Sequence, residues 1–398
     1  MANVSSSNGI EKCPKLRFNG FSDTWFFRSA ESLFENVTDK NHPEETVLTI
    51  IQGAGTLPRG ESSRNIRYDE SGIANYKKVQ THDYIIHLRS FEGGLEMANS
   101  TGIISPAYTV LRPKGKVAPL FYEAYFHTDE FINHILAKSV EGIRDGRQIS
   151  YEAFKWLKLP TCSFEEQKKI AELFRVLAIR INKQRELVST LKKYKRGAIN
   201  NIFNGYTFNE SVKECLLSDV ASFHQGLTYS PGDVSDMGYL VMRSSNIQNG
   251  RLSFKDNVYV KSRIPESLLV QENDVLMCVR NGSKQLVGKT AIIDQAYPNM
   301  TWGAFMMIIR STLKNTFVYH YLNSDSFYNQ VFRDSGTATI NQITKGTLNE
   351  CKLFIPSTEH QERICQYLDL LDRKLHKEQD YLENLGLLKQ SLLQQLFI

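Results

Sequence analysis

The segment "VMRSSNIQNGRL", Val241 to Leu252, sets Arg243, Ser244, Ser245, Asn246, Gln248, Asn249 and Arg251 in a tight polar run beside apolar strand residues. Arginine makes two parallel hydrogen bonds to the groove edge of guanine, and asparagine or glutamine does the same with adenine. The run therefore carries the side chains that reading a base sequence requires. A second such loop is "RNGSK", where Arg280, Asn281 and Lys284 follow an apolar stretch. In the first half of the chain the candidates of the same chemistry are Gln52, Arg59, Arg64, Arg67, Arg89, Arg144 and Arg147, and Asn341 in "GTATINQI" completes the set. Some of these cations are expected to hold phosphates only, fixing position without reading sequence.

Chemistry of other kinds lacks its apparatus in the sequence. "GSKQLVGKT", Gly282 to Thr290, looks like a phosphate loop but has five residues between its glycines where that motif has four, and its setting reads as a hairpin between strands. Enzymes that methylate a base amino group carry an Asn- or Asp-Pro-Pro-aromatic motif, and no Pro-Pro occurs here. His82 and His87 stand five apart with no carboxylate or cysteine cluster, and the six cysteines are scattered without a CxxC pair, so reduced thiols and no metal site are expected. No catalysis by this chain and no cofactor bound to it are expected.

These recognition residues need elements to hold them, and an internal repeat says which. "EEQKKIAELF" from Glu165 returns as "EHQERICQYL" from Glu359, and Gln167, Ile170, Leu177, Lys183, Leu191, Lys195 and Phe203 recur 194 residues later. Upstream, "AYFHTDEFIN" from Ala124 answers "HYLNSDSFYN" from His320, and "VQTHDYIIHLRS" from Val79 answers "VQENDVLMCVRN" from Val270. The chain thus reads as two α+β domains, each followed by a long helix: 1–160, helix 161–204, 205–356, helix 357–398.

In the helical segments apolar residues recur at alternating steps of four and three: Ile170, Phe174, Leu177, Ile181, Val188, Leu191, Ala198 and Ile202, then Ile364, Leu368, Leu371, Leu375, Leu382, Leu385, Leu392 and Leu396. That is a heptad seam, interrupted in both copies at matched places by Gln184 and Glu378 and by Lys195 and Lys389. From Glu166 to Phe203 ten basic residues face three acidic ones, against five and six from His360 to Phe397, which favours pairing of the two unlike helices. An antiparallel coiled coil serving as a spacer is expected. Ser163 with Glu166 predicts a capping box at the first helix, and Gly386 marks an expected close approach.

The formal charge of +5 is compatible with a nucleic-acid partner, and no apolar run approaches the roughly 20 residues of a membrane span. The first residues lack the basic start and apolar core of a secretory signal, so a cytoplasmic location with no membrane is expected.

Taken in order, "LRFNGF" with Trp25, the Asp83–Arg89 and Asp274–Arg280 strands and turns, the "GxxxxxQI" pieces and the "LP…EEQKKIAELF" and "IP…EHQERICQYL" helix starts resemble the specificity subunits of type I restriction-modification systems. The resemblance covers essentially the whole chain. It implies two target-recognition domains that read a bipartite double-stranded DNA target, two methylation subunits supplying S-adenosylmethionine, and one or two restriction-translocation subunits using ATP and Mg. Two rival readings are a coiled-coil scaffold without DNA function and a stand-alone methyltransferase-nuclease.

Overall fold

The computed structural model describes residues 13–61, 70–142, 148–204, 212–295, 297–332 and 342–397. The chain divides into two units, Met1–Arg185 with Asp380–Ile398, and Glu186–Gln379. The division cuts both long helices, so each unit holds one globular domain and a part of each helix.

The first unit contains strands β1 (Phe26–Ser29), β2 (Phe34–Val37), β3 (Leu48–Ile51), β4 (Gly55–Pro58), β5 (Tyr84–Ile86), β6 (Glu96–Met97) and β7 (Thr109–Pro113), helix α1 (Pro119–Phe126) and strand β8 (Lys158–Thr161). An antiparallel sheet runs β2-β7-β5-β6. Its central strand "YII" is buried throughout, as a run without polar alternation requires. β3 and β4 form a hairpin whose turn uses Gly53 and Gly55 at φ 75° and 77°, a left-handed conformation that favours glycine. β1 pairs with β8, which leads into helix α2 (Phe164–Phe203). The core is aromatic: Phe34 meets Tyr84 and Tyr122 edge-on at 5.4 and 5.2 Å, the geometry the ring quadrupole prefers.

The second unit contains β9 (Lys213–Leu216), β10 (Ala221–Gln225), β11 (Tyr239–Met242), β12 (Ile247–Gln248), β13 (Arg251–Leu252), β14 (Tyr259–Val260), β15 (Val275–Cys278), β16 (Thr290–Ile292), β17 (Met300–Trp302) and β18 (Met306–Ser311), helices α3 (Phe317–Tyr321) and α4 (Asp325–Phe332), strand β19 (Lys352–Ile355) and the start of helix α5 (Thr358–Leu396). Its sheet β10-β18-β15-β16 repeats the order of the first, and β9 pairs with β19 as β1 does with β8. A further sheet places β14, β11 and β17 side by side, with β11 parallel to β17.

One ion pair is duplicated with the sheet. Asp83, just before β5, takes Arg112 of β7 at 2.9 and 2.7 Å, and Asp274, just before β15, takes Arg310 of β18 at 2.7 and 2.8 Å. Each aspartate also accepts a backbone N–H three residues back, from Gln80 and from Gln271. The aspartates in the sequence motif therefore serve the sheet, and not Arg89 or Arg280 at the far end of the same motif. Both carboxylates are buried while the arginines stay about a quarter exposed, 26% and 24%. Losing one partner is then expected to cost about 3 kcal/mol, the low end for buried pairs.

The helices pair antiparallel. In the first unit Leu177 and Ile181 of α2 pack with Leu385, Phe174 stacks on Phe397 at 6.1 Å, and Arg180 Nε donates to the Tyr381 hydroxyl at 2.7 Å. In the second, Ile199 and Phe203 pack with Cys365 and Leu368, Tyr194 and Tyr367 bond through their hydroxyls at 2.9 Å, and Lys195, an expected interruption of the seam, pairs with Asp372. Early residues of one helix thus meet late residues of the other.

Three expectations change in detail. Glu166 does not close a capping box: its backbone N–H reaches Ser163 Oγ at 3.3 Å, but its carboxylate takes Arg17 at 2.9 and 2.7 Å and Trp25 Nε1 at 3.1 Å. A charged guanidinium is a stronger partner than the cap's own N–H. A Cβ at Gly386 would meet nothing within 4 Å, so no close approach occurs there. Along α5, Cys365, Asp372 and Leu393 are buried where Ile364, Leu371 and Leu392 were expected, because a 3.6-residue turn drifts across a strict heptad and the domains cover part of the helix.

Candidate nucleic-acid interface

In the second unit the chain leaves β11 at Arg243, makes a short turn over Ser244–Asn246 and enters the β12–β13 hairpin. Asn246 holds that turn and does not face out. It is fully buried; its Oδ1 accepts from Arg243 N at 2.9 Å, and its Nδ2 donates to Ser253 O at 2.9 Å and Asp256 O at 3.1 Å. Its expected role as a base reader is therefore corrected, since its amide is spent inside the protein. Ser245 Oγ is buried as well and makes no hydrogen bond.

Arg243 remains about a third exposed, with Nη2 donating to Asp256 Oδ1 at 2.8 Å. Gln248 is exposed and folds back onto Ser245 O at 3.0 Å. Asn249 and Gly250 form the hairpin tip at φ 54° and 78°. That tip leans on helical elements: Lys192 Nζ lies 3.5 Å from Asn249 Oδ1, and the Tyr319 hydroxyl donates to Gly250 O at 3.3 Å. Arg251 is half-buried on the return strand and faces His376.

The loop between β15 and β16 carries Arg280, Asn281 and Lys284. Asn281 Nδ2 donates to Ser244 Oγ at 3.2 Å, which joins the two polar loops that the sequence singled out. Arg280 is exposed, and its guanidinium lies 5.3 Å from the Phe305 ring, itself 58% exposed. Lys284 is exposed, with Nζ 5.9 Å from the Phe332 ring. The loop also forms the hairpin connection expected in place of a phosphate loop, since β15 pairs antiparallel with β16. Arg243, Ser244, Arg280, Asn281 and Phe305 together offer forked donors and an aromatic face, a set suited to base edges and phosphates. Phe305 and Asp256 escaped the sequence reading. Phe305 stands in the apolar stretch "AFMMIIR", where its outward direction has no signature.

In the first unit Gln52 is exposed at the tip of the β3–β4 hairpin. Its side chain packs on the loop between β5 and β6, where a Cβ at Gly93 would fall 1.9 Å from Gln52 Nε2. Arg89 in that loop is 70% exposed and lies 3.4 Å from Glu92. Arg59 is half-buried beside β4, its Nε 3.5 Å from Thr49 Oγ1. The remaining candidates, Arg64, Arg67, Arg144, Arg147 and Asn341, lie outside the described residues. In both units, then, a polar turn rests on the loop joining the same two strands of the repeated sheet.

The Gln52 turn is held from below by residues the sequence did not flag. Glu96, fully buried at the start of β6, accepts from Gly53 N at 2.6 Å and Gly55 N at 2.8 Å, while Asn99 Nδ2 donates to Ala54 O at 2.8 Å and Thr56 O at 3.0 Å. His127 Nε2 lies 3.3 Å from Glu96 Oε1, and its Nδ1 bonds Glu123 O at 2.8 Å. Burial alone would lower the His127 pKa, but Glu96 and Glu123 outweigh it and raise it to about 9. Burial likewise pushes Glu96 up, and His127 with the two glycine amides more than offsets it, holding Glu96 below the ordinary carboxylate range. Burial raises Glu123 to about 7 against the attraction of His127. Glu96, Glu123 and His127 bring ligand-type atoms within 4.8 Å of one another, but both Glu96 oxygens already serve the turn.

Residues 209–383 match the family model described as the type I restriction modification DNA specificity domain. The second half of the chain is thus similar to the specificity domain of type I restriction-modification systems. A 165-residue stretch is 30% identical to the StySPI specificity subunit of Salmonella potsdam, covering 39% of this chain and 35% of that protein. Over 163 residues it is 30% identical to the EcoKI specificity subunit of Escherichia coli strain K12, with the same coverage. The matched stretch thus spans about a third of each of these relatives. In fold the chain is similar to the type I S subunit from M. genitalium, with a TM-score of 0.60 and 17% identity over 97% of this chain and 99% of that one. Among its described residues no helix is long and apolar enough to cross a membrane.

Proposed function

We propose that this chain is the DNA-reading subunit of a type I restriction-modification complex, recognising a bipartite target with one half-site per domain. The observation that carries the reading is the Asn281–Ser244 bond, which joins two loops of base-reading chemistry at the site where the first domain sets Gln52 on its own loop. The paired helices set the number of unread base pairs between the half-sites. The chain itself is not an enzyme. Two methylation subunits supply S-adenosylmethionine and methyl transfer, and one or two restriction-translocation subunits supply ATP- and Mg-dependent cleavage, all in the cytoplasm. A scaffold without DNA function would leave the polar loops without a purpose, and a stand-alone methyltransferase would need motifs that the sequence lacks.

The test is a comparison of the purified chain alone and with its methylation subunit, on random duplex DNA across a salt titration and in a methylation assay. The chain alone is expected to bind weakly, with affinity falling as salt rises, and to methylate nothing. The complex is expected to bind tightly and to methylate. Methyl transfer by the isolated pure chain would overturn the proposal.

A further inference from the structure

The repeated sheet carries one substitution that changes a neutral contact into an ionic one. In the second unit Thr290, at the start of β16, donates through its hydroxyl to Asn323 Oδ1 at 3.1 Å, and Asn323 Nδ2 donates back to Tyr319 O at 2.7 Å. In the first unit Glu96 opens the corresponding strand, and His127 takes the place of Asn323 by the 196-residue offset of the repeat. His127 keeps the backward bond, from Nδ1 to Glu123 O at 2.8 Å, and turns Nε2 toward Glu96. With Nδ1–H donated to a carbonyl, Nε2 facing a carboxylate needs a proton of its own, so the geometry is that of an imidazolium.

The carboxylate held by that imidazolium is the one that anchors the hairpin tip. Gly53 and Gly55 both donate to Glu96, and Gln52 precedes them on the exposed side. We infer that Glu96 and His127 are positioning residues for DNA reading by the first domain: their ion pair fixes the Gly53–Gly55 turn and with it the placement of Gln52 at the first half-site. This inference rests on the function proposed above. It also implies that recognition by the first domain depends on pH, whereas the equivalent contact in the second domain, Thr290 to Asn323, joins two groups that do not titrate.

The sign follows from the groups that face His127. Its pKa is raised, so the ionic contact is complete below the ordinary imidazole value of about 6.5 and is lost as pH rises through about 9. Glu96 stays charged over this range because its pKa is lowered. Glu123 on α1 loses its proton near 7, which adds a second anion and strengthens the imidazolium. Lys389 of α5 faces Glu123, and His87, whose pKa burial lowers, is neutral over the range.

The experiment selects bound duplexes from a randomised pool with the full chain co-expressed with its methylation subunit, from about pH 7.5 to about pH 9.5. Unmutated protein, Glu96→Gln and His127→Asn are compared, and the half-site left unchanged by Arg243→Ala is assigned to the first domain. Unmutated protein is expected to lose discrimination at that half-site as pH passes about 9 while the other half-site holds. Each variant is expected to lose about tenfold at the first half-site already at neutral pH, with no further fall on raising the pH. Variants that select the first half-site as well as unmutated protein, or that lose both half-sites together, overturn the inference. Unmutated protein that selects no two-part target overturns the recognition reading beneath it, and that result is visible before either variant is compared.

Discussion

Replacing Arg243 by alanine is expected to relax one half-site and leave the other as it was. In the free protein the guanidinium donates to Asp256 Oδ1 at 2.8 Å, with the side chains 35% and 64% exposed. A pair so open to water is worth at most about 1 kcal/mol. A two-pronged contact with guanine supplies about 1 to 3 kcal/mol of discrimination. Leaving Asp256 for a base therefore costs no more than the contact returns, and truncating Arg243 removes a net of up to about 2 kcal/mol, on the order of tenfold in preference at one base pair. Asp256→Asn frees the arginine and removes a negative charge, and should strengthen binding slightly on all sequences. The assay is selection from a library randomised in both half-sites, followed by binding to the chosen and mismatched duplexes at fixed salt. Equal relaxation of both half-sites would refute the assignment of one half-site per domain. Uniform weakening on every sequence would mean that Arg243 holds a phosphate and reads nothing.

Asn246→Ala should act on stability, since it strands the Arg243 N–H and two carbonyls in a buried turn. A loss of about 2 to 3 kcal/mol in urea unfolding is expected, and a loss under about 1 kcal/mol would contradict the structural role given to this amide. Inserting seven residues after Gln184 and after Glu378 keeps the heptad phase and lengthens each helix by about 10 Å, roughly three base pairs of duplex. The preferred spacer should grow by that amount with the half-sites unchanged. An unchanged spacer at unchanged affinity would show that the helices do not set it.

The repeat, the α+β character of both halves, the two long helices and their antiparallel pairing were legible in the amino-acid order, because periodicity and self-similarity are properties of the chain alone. The joined loops at Ser244 and Asn281 were legible only as residue types of suitable chemistry. Other assignments needed tertiary structure. Asp83 and Asp274 sit in a motif that also holds Arg89 and Arg280, yet they pair with Arg112 and Arg310 across the sheet, a choice made by strand order. Asn246 has the side chain of a base reader, but burial spends its amide on its own loop. Phe305 and the Glu96–His127 pair left no local pattern, since exposure of an aromatic and convergence of charges from distant strands arise only when the sheet is assembled. Sequence determines which groups are available, while the fold decides which of them face outward and which are consumed in holding the others in place.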